Sequence, residues 1–237
     1  MLQRHLFFTA LFASAISAGT AGASVLASTT FDGRILDPAE TATNLGWTLN
    51  GVQDPGSMTA LNASAASQPL FDGAGKVTVN MFAPALNTGN GNTFWTTTIP
   101  ITVAEGFAVT LTDVTFDNWS INGGQDQNVN RRSDFTISLF SPSAASLGSV
   151  DIVDSLSGTA AGVPTVVATF ASPIALTAPG TYTLEIKGGD FAGENETGNH
   201  TAIDNLSING EFAPIPEPSS LLLSGLGLLA LFGRRRR

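Results

Sequence analysis

The 237-residue chain contains no cysteine and few charged residues. Without cysteine it can form neither a disulfide framework nor a thiolate zinc site, so an exported form must be held together by core packing or bound ions. Charged residues make up 12% of the sequence, and two histidines leave little material for a histidine-based metal centre. The Gly-x-Ser-x-Gly pattern of a hydrolase nucleophile elbow is also absent.

Basic residues are scarce between positions 24 and 213. This segment has 18 acidic residues against five basic ones, a formal difference of −13, and the five are Arg34, Lys76, Arg131, Arg132 and Lys187. Such a segment repels nucleic-acid phosphates and anionic lipid, and it can attract calcium. We therefore expect no nucleic-acid partner.

The first 23 residues have the organisation of a signal peptide. Arg4 and His5 precede the apolar run 6–18, and Ala21 and Ala23 give the small-x-small pattern that signal peptidase cleaves. We predict a signal helix in residues 1–23 and a mature start at Ser24. The alternative is an N-terminal core helix, which would show polar positions at helical spacing.

The last 24 residues combine a proline-rich hinge, an apolar run and a basic end. The run 221–232 has 12 uncharged residues. As a helix it reaches about 18 Å, against about 30 Å of hydrocarbon. The basic end should stay on the cytoplasmic side and leave the rest of the chain outside; it consists of Arg234, Arg235, Arg236 and Arg237. We predict a C-terminal hydrophobic helix that contacts the inner membrane transiently.

This tail resembles the sorting signal of PEP-CTERM proteins, which are exosortase substrates of Gram-negative bacteria that make exopolysaccharide. The matching residues are Pro216, Glu217, Pro218, Ser219 and Ser220, the Leu/Gly-rich run and the arginine cluster. The family usually has Val before Pro-Glu-Pro, where this chain has Ile215. The resemblance covers residues 214–237 alone, and it implies cleavage near the motif by an exosortase-like enzyme. A simple tail anchor without processing is the alternative.

Residues 24–213 show the alternation of half-buried strands, punctuated by turn pairs. The alternating runs are 25–31, 76–82, 107–111, 135–139 and 182–186. The turn pairs are Asn50-Gly51, Asp72-Gly73, Asn122-Gly123-Gly124, Pro179-Gly180, Gly188-Gly189 and Asn209-Gly210. We predict an all-β domain over 24–213, an antiparallel β-sandwich with a jelly roll as the leading topology, flanked by the two terminal helices.

Two segments resemble parts of secreted jelly-roll domains. Residues 174–187, with their Ala-Pro-Gly turn, are similar to a late hairpin of those domains, and residues 202–208 are similar to their closing strand. Both are expectations by analogy.

Asp204 is the first candidate ligand. On a regular strand it shares a face with Leu206 and Ile208, so its carboxylate should point toward the core edge. A buried carboxylate needs a partner, and calcium is one candidate. Asp32 meets Asp204 at such a site if the first and last strands are neighbours. The alternative is that Asp204 caps the turn 198–201.

Two polar loops have weaker signals. Residues 126–130 match the first ligand positions of an EF-hand loop, but Arg131 replaces its glycine and Ile137 its final glutamate, so a solvated loop is favoured. The loop 188–200 contains Asp190, Glu194, Glu196 and His200 without zinc spacing, which favours an exposed acidic loop.

Aromatic residues offer a possible sugar-stacking surface. Trp95 and Trp119 lie beside Thr, Asn and Ser side chains that suit neutral glycans, and Trp47 and Tyr182 are further candidates. Packing in the core or at its rim is the alternative for each of them.

The sequence predicts a non-catalytic, exported protein of the cell surface or exopolysaccharide matrix. A glycan-binding module, with or without stabilising calcium, is the second hypothesis. A glycosidase-like enzyme is the third, because two carboxylates distant in the sequence can face one another in space.

Overall fold

The computed structural model describes residues 24–31, 35–36, 41–43, 45–56, 58–59, 81–82, 84, 94–121, 131–157, 162–189 and 200–215. Across these residues the regular structure is β-strand, without a helix. The predicted signal helix, the predicted hydrophobic helix and most of the predicted strand 76–82 lie outside the described residues. The all-β prediction is therefore confirmed for the part of the chain that the structure describes.

The described residues form twelve strands. They are β1 (Ser24–Thr29), β2 (Ile35–Leu36), β3 (Thr41–Thr43), β4 (Thr48–Leu49), β5 (Met58–Thr59), β6 (Phe94–Val103), β7 (Phe107–Ile121), β8 (Arg132–Phe140), β9 (Ser146–Leu156), β10 (Thr165–Leu176), β11 (Gly180–Gly189) and β12 (His200–Pro214).

The longer strands form two antiparallel sheets. One has five described strands in the order β10-β7-β12-β1-β4, and the other has four in the order β6-β11-β8-β9. The short strands β2, β3 and β5 pair separately. The antiparallel pairing agrees with the prediction, and the first and last strands, β1 and β12, are neighbours.

Both sheets contribute side chains to one hydrophobic core. In β8 the alternate residues Phe135, Ile137 and Leu139 are fully buried, as their period-two spacing predicts. From the five-stranded sheet, Phe116 meets Phe135 edge to face, with ring centroids 4.7 Å apart. Each such buried side chain stabilises the fold by about 1.5–3 kcal/mol relative to exposure. This shared core is consistent with the predicted β-sandwich.

The predicted hairpin over 174–187 is wrong. β10 pairs with β7 in one sheet, whereas β11 pairs with β6 and β8 in the other, so residues 177–179 carry the chain between sheets. Alternation identifies which face of each strand is buried, but two strands that bury opposite sides of one core have the same alternation as a hairpin. The predicted closing strand 202–208 does lie within β12.

Two of the predicted turn pairs lie inside strands. Gly188-Gly189 ends β11, and a Cβ on Gly188 would be 2.6 Å from Cζ2 of Trp95. Asn209-Gly210 lies at a register shift in β12, and a Cβ on Gly210 would overlap the backbone oxygen of Thr110. These glycines permit close approach of neighbouring groups rather than a chain reversal.

The strands end in two different kinds of connection. At one end, which we call the turn end, three short turns join strands at residues 104–106, 141–145 and 177–179. At the opposite end, the loop end, longer connections leave from the ends of β7, β9 and β11; they span residues 122–131, 157–164 and 190–199. The antiparallel register shows this division in the five-stranded sheet. β7 pairs along its length with β12, so Phe107 lies opposite Pro214 at the turn end and Ile121 lies opposite His200 at the loop end.

Candidate functional site

A β-bulge sets the position of Asp204. Asp204 pairs with Asp117 of β7, and the register then shifts before Ser207. Asn205 occupies the bulge with a φ of 49°, in the left-handed region where asparagine is tolerated. Because Ile203 and Leu206 both belong to the main core, the bulge leaves Asp204 and Asn205 on the outer face of the sheet.

The predicted facing of Asp204 is therefore wrong. It does not share a face with Leu206 and Ile208, because the bulge inserts an extra residue between them. Its burial was predicted correctly, since Asp204 is only 5% exposed. One of its carboxylate oxygens accepts a 2.7 Å hydrogen bond from the backbone N–H of Asn205. Asp204 thus caps the bulge that follows it.

Asp117, Asp204, Asn205 and Thr165 form one polar cluster on the outer face of the five-stranded sheet. The side-chain amide of Asn205 donates to Oδ2 of Asp117 at 2.7 Å and to Oδ2 of Asp204 at 3.5 Å. The hydroxyl of Thr165 donates to the other oxygen of Asp117 at 2.6 Å. The amide lies between two carboxylates that would otherwise repel one another.

The same pattern recurs four residues along β7. The amide of Asn209 donates to Oδ1 of Asp113 at 2.6 Å, and the hydroxyl of Thr112 donates to Oδ2 at 2.9 Å. The outer face therefore carries two Asp–Asn pairs between β7 and β12. Sequence reasoning missed Asp113 and Asp117, because only the register of β12 against β7 brings the asparagines opposite them.

The calcium hypothesis stays a prediction. Asp32 lies outside the described residues, although β1 pairs with β12 as the hypothesis requires, with Thr29 opposite Leu206. Among the residues that the structure describes, no group of three histidine, aspartate or glutamate side chains is placed to hold a metal ion.

Trp95 is a core residue. It is fully buried, its ring meets Phe82 edge to face at 5.2 Å, and its indole N–H donates to the backbone oxygen of Thr201 at 2.8 Å. A ring with no exposed face cannot stack on a sugar. The packing alternative therefore describes Trp95, and the predicted glycan contact at this residue is wrong.

Trp119 lies at the edge of a second, smaller cluster. It is partly buried against Met81, Ile121 and Ala202, which are fully buried. Its indole nitrogen is buried and has no hydrogen-bond partner. Trp119 of β7 pairs with Ala202 of β12. This pair is two residues along each strand from the Asp117–Asp204 pair, so Trp119 lies beside the polar cluster on the same face of the sheet.

The other aromatic candidates have structural partners. Trp47 is partly buried against the core, and its N–H donates to the backbone oxygen of Gly56 at 2.8 Å. Tyr182 is buried, and its hydroxyl donates to the backbone oxygen of Ala178 at 3.0 Å. The first bond joins two loop residues, the second fixes the turn 177–179 to β11, and neither ring is fully exposed.

Polar side chains replace apolar ones between the sheets near the loop end. Asn118 is fully buried, and its amide donates to the backbone oxygen and hydroxyl of Ser155 at 3.0 and 3.1 Å. The hydroxyls of Ser133 and Thr201 lie 3.4 Å apart. The carbonyl oxygen of Asn118 has no partner. The interior at this end is therefore polar and incompletely satisfied.

The two polar loops are described only at their boundaries. The EF-hand-like residues 126–130, and Asp190, Glu194 and Glu196, lie outside the described residues. Backbone pairing places His200 at the start of β12, opposite Ile121. Both loop predictions stay predictions.

The chain leaves the domain at the turn end. Pro214 pairs with Phe107, and the backbone N–H of Ile215 donates to the oxygen of Gly106 at 2.7 Å. The processing candidates Ala21, Ala23, Pro216, Glu217 and Pro218 lie outside the described residues, as do Arg234 to Arg237. In the described part of the chain, no helix is long and apolar enough to span a membrane.

Comparison with known proteins identifies the tail. Residues 214–237 match the family model of the PEP-CTERM protein-sorting motif. A search among curated proteins found no match to the chain. The motif match agrees with the resemblance seen in the sequence, and it implies an exported protein that is anchored transiently in a membrane and sorted by an exosortase.

Proposed function

We propose that this chain is a non-catalytic protein of the cell surface or exopolysaccharide matrix, delivered by its C-terminal sorting signal. The observation that supports the proposal is the motif match over 214–237, which begins where β12 ends. Signal peptidase removes residues 1–23, and the apolar helix 221–232 holds the precursor at the inner membrane. An exosortase-like enzyme then cleaves near Pro216-Glu217-Pro218 and releases the domain.

The cargo in this proposal is the domain 24–213, a β-sandwich with jelly-roll topology between the two terminal helices. Its acidic, cysteine-free composition suits an extracellular layer of neutral polysaccharide. We assign no catalytic role to Asp113 and Asp117, whose carboxylates each accept a hydrogen bond from the side-chain amide of a neighbouring asparagine.

Mass spectrometry of the exported protein tests the sorting proposal. The chain is expressed in a host with an exosortase and in the same host without it. We expect the exported form to begin at Ser24 and to lack Arg234 to Arg237 in the first host, and the precursor to accumulate in the second. A surface form that keeps the four arginines would overturn the proposal.

A matched pair of variants makes this test specific. Glu217→Ala changes the motif, and we expect the precursor to accumulate even when the enzyme is present. Glu211→Ala removes an exposed carboxylate of β12 outside the motif and should be processed normally. Equal processing of both variants would contradict a role for Pro-Glu-Pro in recognition.

Glycan binding is a second candidate, favoured by Trp119 beside the polar cluster. A partly exposed indole ring next to carboxylate and amide groups offers both stacking and hydrogen bonding to a neutral sugar. Titration of residues 24–215 with host exopolysaccharide should change tryptophan fluorescence, and Trp119→Phe should remove that change. A flat titration of the parent domain would contradict glycan binding.

Stabilising calcium is part of this second candidate. A cation bound only to the native state raises its stability, so EDTA should lower the melting temperature and excess calcium should restore it. Asp204→Asn removes the proposed ligand, and its melting temperature should not respond to EDTA. A parent domain that melts at the same temperature with and without EDTA would exclude calcium.

A further inference from the structure

Both ends of the described domain lie at its turn end. Ser24 begins β1 opposite Gly210, and its hydroxyl donates to the backbone oxygen of Gly210 at 3.1 Å. Ile215 lies five residues after Gly210, and its backbone N–H is hydrogen-bonded to Gly106, within the turn that joins β6 to β7. The proposed signal peptide and the sorting signal therefore attach to the same end of the two sheets.

The tether between the domain and the apolar run is short. Five residues, 216–220, separate Ile215 from Leu221. A fully extended chain spans at most about 3.6 Å per residue, so these residues reach no further than roughly 20 Å. Pro216 and Pro218 each fix one backbone dihedral and stiffen the tether. The tether is therefore much shorter than β7, whose 15 residues extend about 45 to 50 Å at roughly 3.3 Å per residue.

Charge disfavours an arrangement in which the domain lies flat on its five-stranded sheet. The outer face of that sheet carries Asp113 and Asp117, and an anionic lipid surface repels carboxylates. The described basic residues do not lie at the turn end, since Arg132 begins β8 directly after Arg131 and Lys187 lies near the end of β11. Attraction between these basic side chains and anionic lipid therefore does not tilt the domain from its turn end onto one of its sides.

We propose that the membrane-held precursor stands on its turn end and presents its loop end outward. This inference rests on the proposed function, because it requires residues 221–232 to be held in the membrane. The strand ends Ile121, Leu156 and Gly189 are then the parts of the sheets farthest from the lipid. Extracellular partners meet the loop end first, and the processing enzyme works beside the turn at Gly106.

Single-cysteine variants measure this orientation directly, because the chain has no cysteine of its own. Glu105→Cys places a thiol in the turn end, Ser149→Cys within β9 between the two ends, and Arg131→Cys at the loop end; all three residues are exposed. Each variant begins at Ser24, so that only the sorting signal can hold it, carries a donor dye and is reconstituted into liposomes with an acceptor dye on the lipid headgroups. Without the processing enzyme the tail stays attached.

We expect energy transfer to be largest from position 105, intermediate from 149 and smallest from 131. Insertion of a twenty-residue Gly/Ser linker after Ile215 should reduce transfer from 105 and bring the three values together. Equal transfer from the three original variants, or the reverse order, would overturn the orientation.

Flotation of the same liposomes separates this inference from the proposed function. A precursor that does not float with the lipid would overturn membrane holding, and the orientation with it. A precursor that floats but shows no gradient of transfer would overturn the orientation alone.

Discussion

The indole N–H of Trp95 donates a 2.8 Å hydrogen bond to the backbone oxygen of Thr201. Trp95 belongs to β6 at an edge of the four-stranded sheet, whereas Thr201 belongs to β12 inside the five-stranded sheet. The bond is buried, so it joins the two sheets by a directional contact at the polar part of their interface, near the loop end. It also fixes the ring of Trp95 over Gly188.

Trp95→Phe should destabilise the domain by about 2–4 kcal/mol. The variant leaves the oxygen of Thr201 buried without a donor and also removes ring volume from the core. Urea unfolding of residues 24–215, followed by circular dichroism, gives the change in free energy of unfolding.

Trp119→Phe is the matched control for this variant. The buried indole nitrogen of Trp119 has no partner, so its removal relieves an unsatisfied donor and offsets lost packing. We expect its free energy of unfolding to stay within about 1 kcal/mol of the parent value. Equal losses in the two variants would show that the bond to Thr201 contributes nothing specific.

Gly188→Ala should cost about 1–3 kcal/mol through overpacking. The added methyl group would be 2.6 Å from Trp95 and 3.0 Å from Phe135, and Trp95 cannot shift without breaking its hydrogen bond. Gly148→Ala is the control, because its methyl group meets the flexible end of Ile174. Melting temperatures should fall further for Gly188→Ala; a larger loss at Gly148 would contradict the argument.

Two substitutions at Asn205 distinguish how much its left-handed backbone and its side-chain amide each contribute to the free energy of unfolding. Asn205→Gly keeps the left-handed backbone but removes the hydrogen bonds to Asp117 and Asp204, and should cost about 1–2 kcal/mol. Asn205→Ala also forces an alanine into that backbone, at a further cost of about 1 kcal/mol. Denaturant unfolding of both variants checks the order. A glycine variant as stable as the parent would mean that the amide does not stabilise the pair.

Asn118→Asp should give a pH-dependent loss of stability. An aspartate cannot donate to Ser155 and would bury a charge, so we expect a loss of about 3–5 kcal/mol near pH 7. Burial raises the pKa of the introduced carboxyl above its unfolded value, so the folded state binds more protons as the pH falls. The deficit relative to the parent should therefore shrink as the pH falls from the raised folded-state pKa toward about 4, and it should be smallest below about pH 4. A deficit independent of pH would contradict this reading of the site.

The strands were largely predictable from the sequence, but their partners were not. The alternating runs 107–111, 135–139 and 182–186 lie in β7, β8 and β11, because period-two burial follows from the pleat alone. Partner choice depends on contacts between segments far apart in the chain. For that reason the segment 174–187 has the pattern of a hairpin although its two halves belong to different sheets.

The polar cluster shows a second limit of the sequence. The sequence identified Asp204 as buried but did not identify Asp117 as its partner, because the bulge at Asn205 moves Asp204 to the outer face of the sheet. No local feature of residues 113–117 shows which side chains of β12 will lie opposite. The glycines at 188 and 210 give the same lesson, since both have the sequence pattern of turns and are instead required by neighbours distant in the chain.

The place of β12 between β7 and β1 also has a consequence for the timing of export. In a chain exported from its N-terminus, β1 and β7 emerge before β12, so the five-stranded sheet cannot be completed until its last strand arrives. On the proposed export route, the five-stranded sheet is therefore completed only after almost the whole domain has emerged, immediately before the apolar run that follows β12.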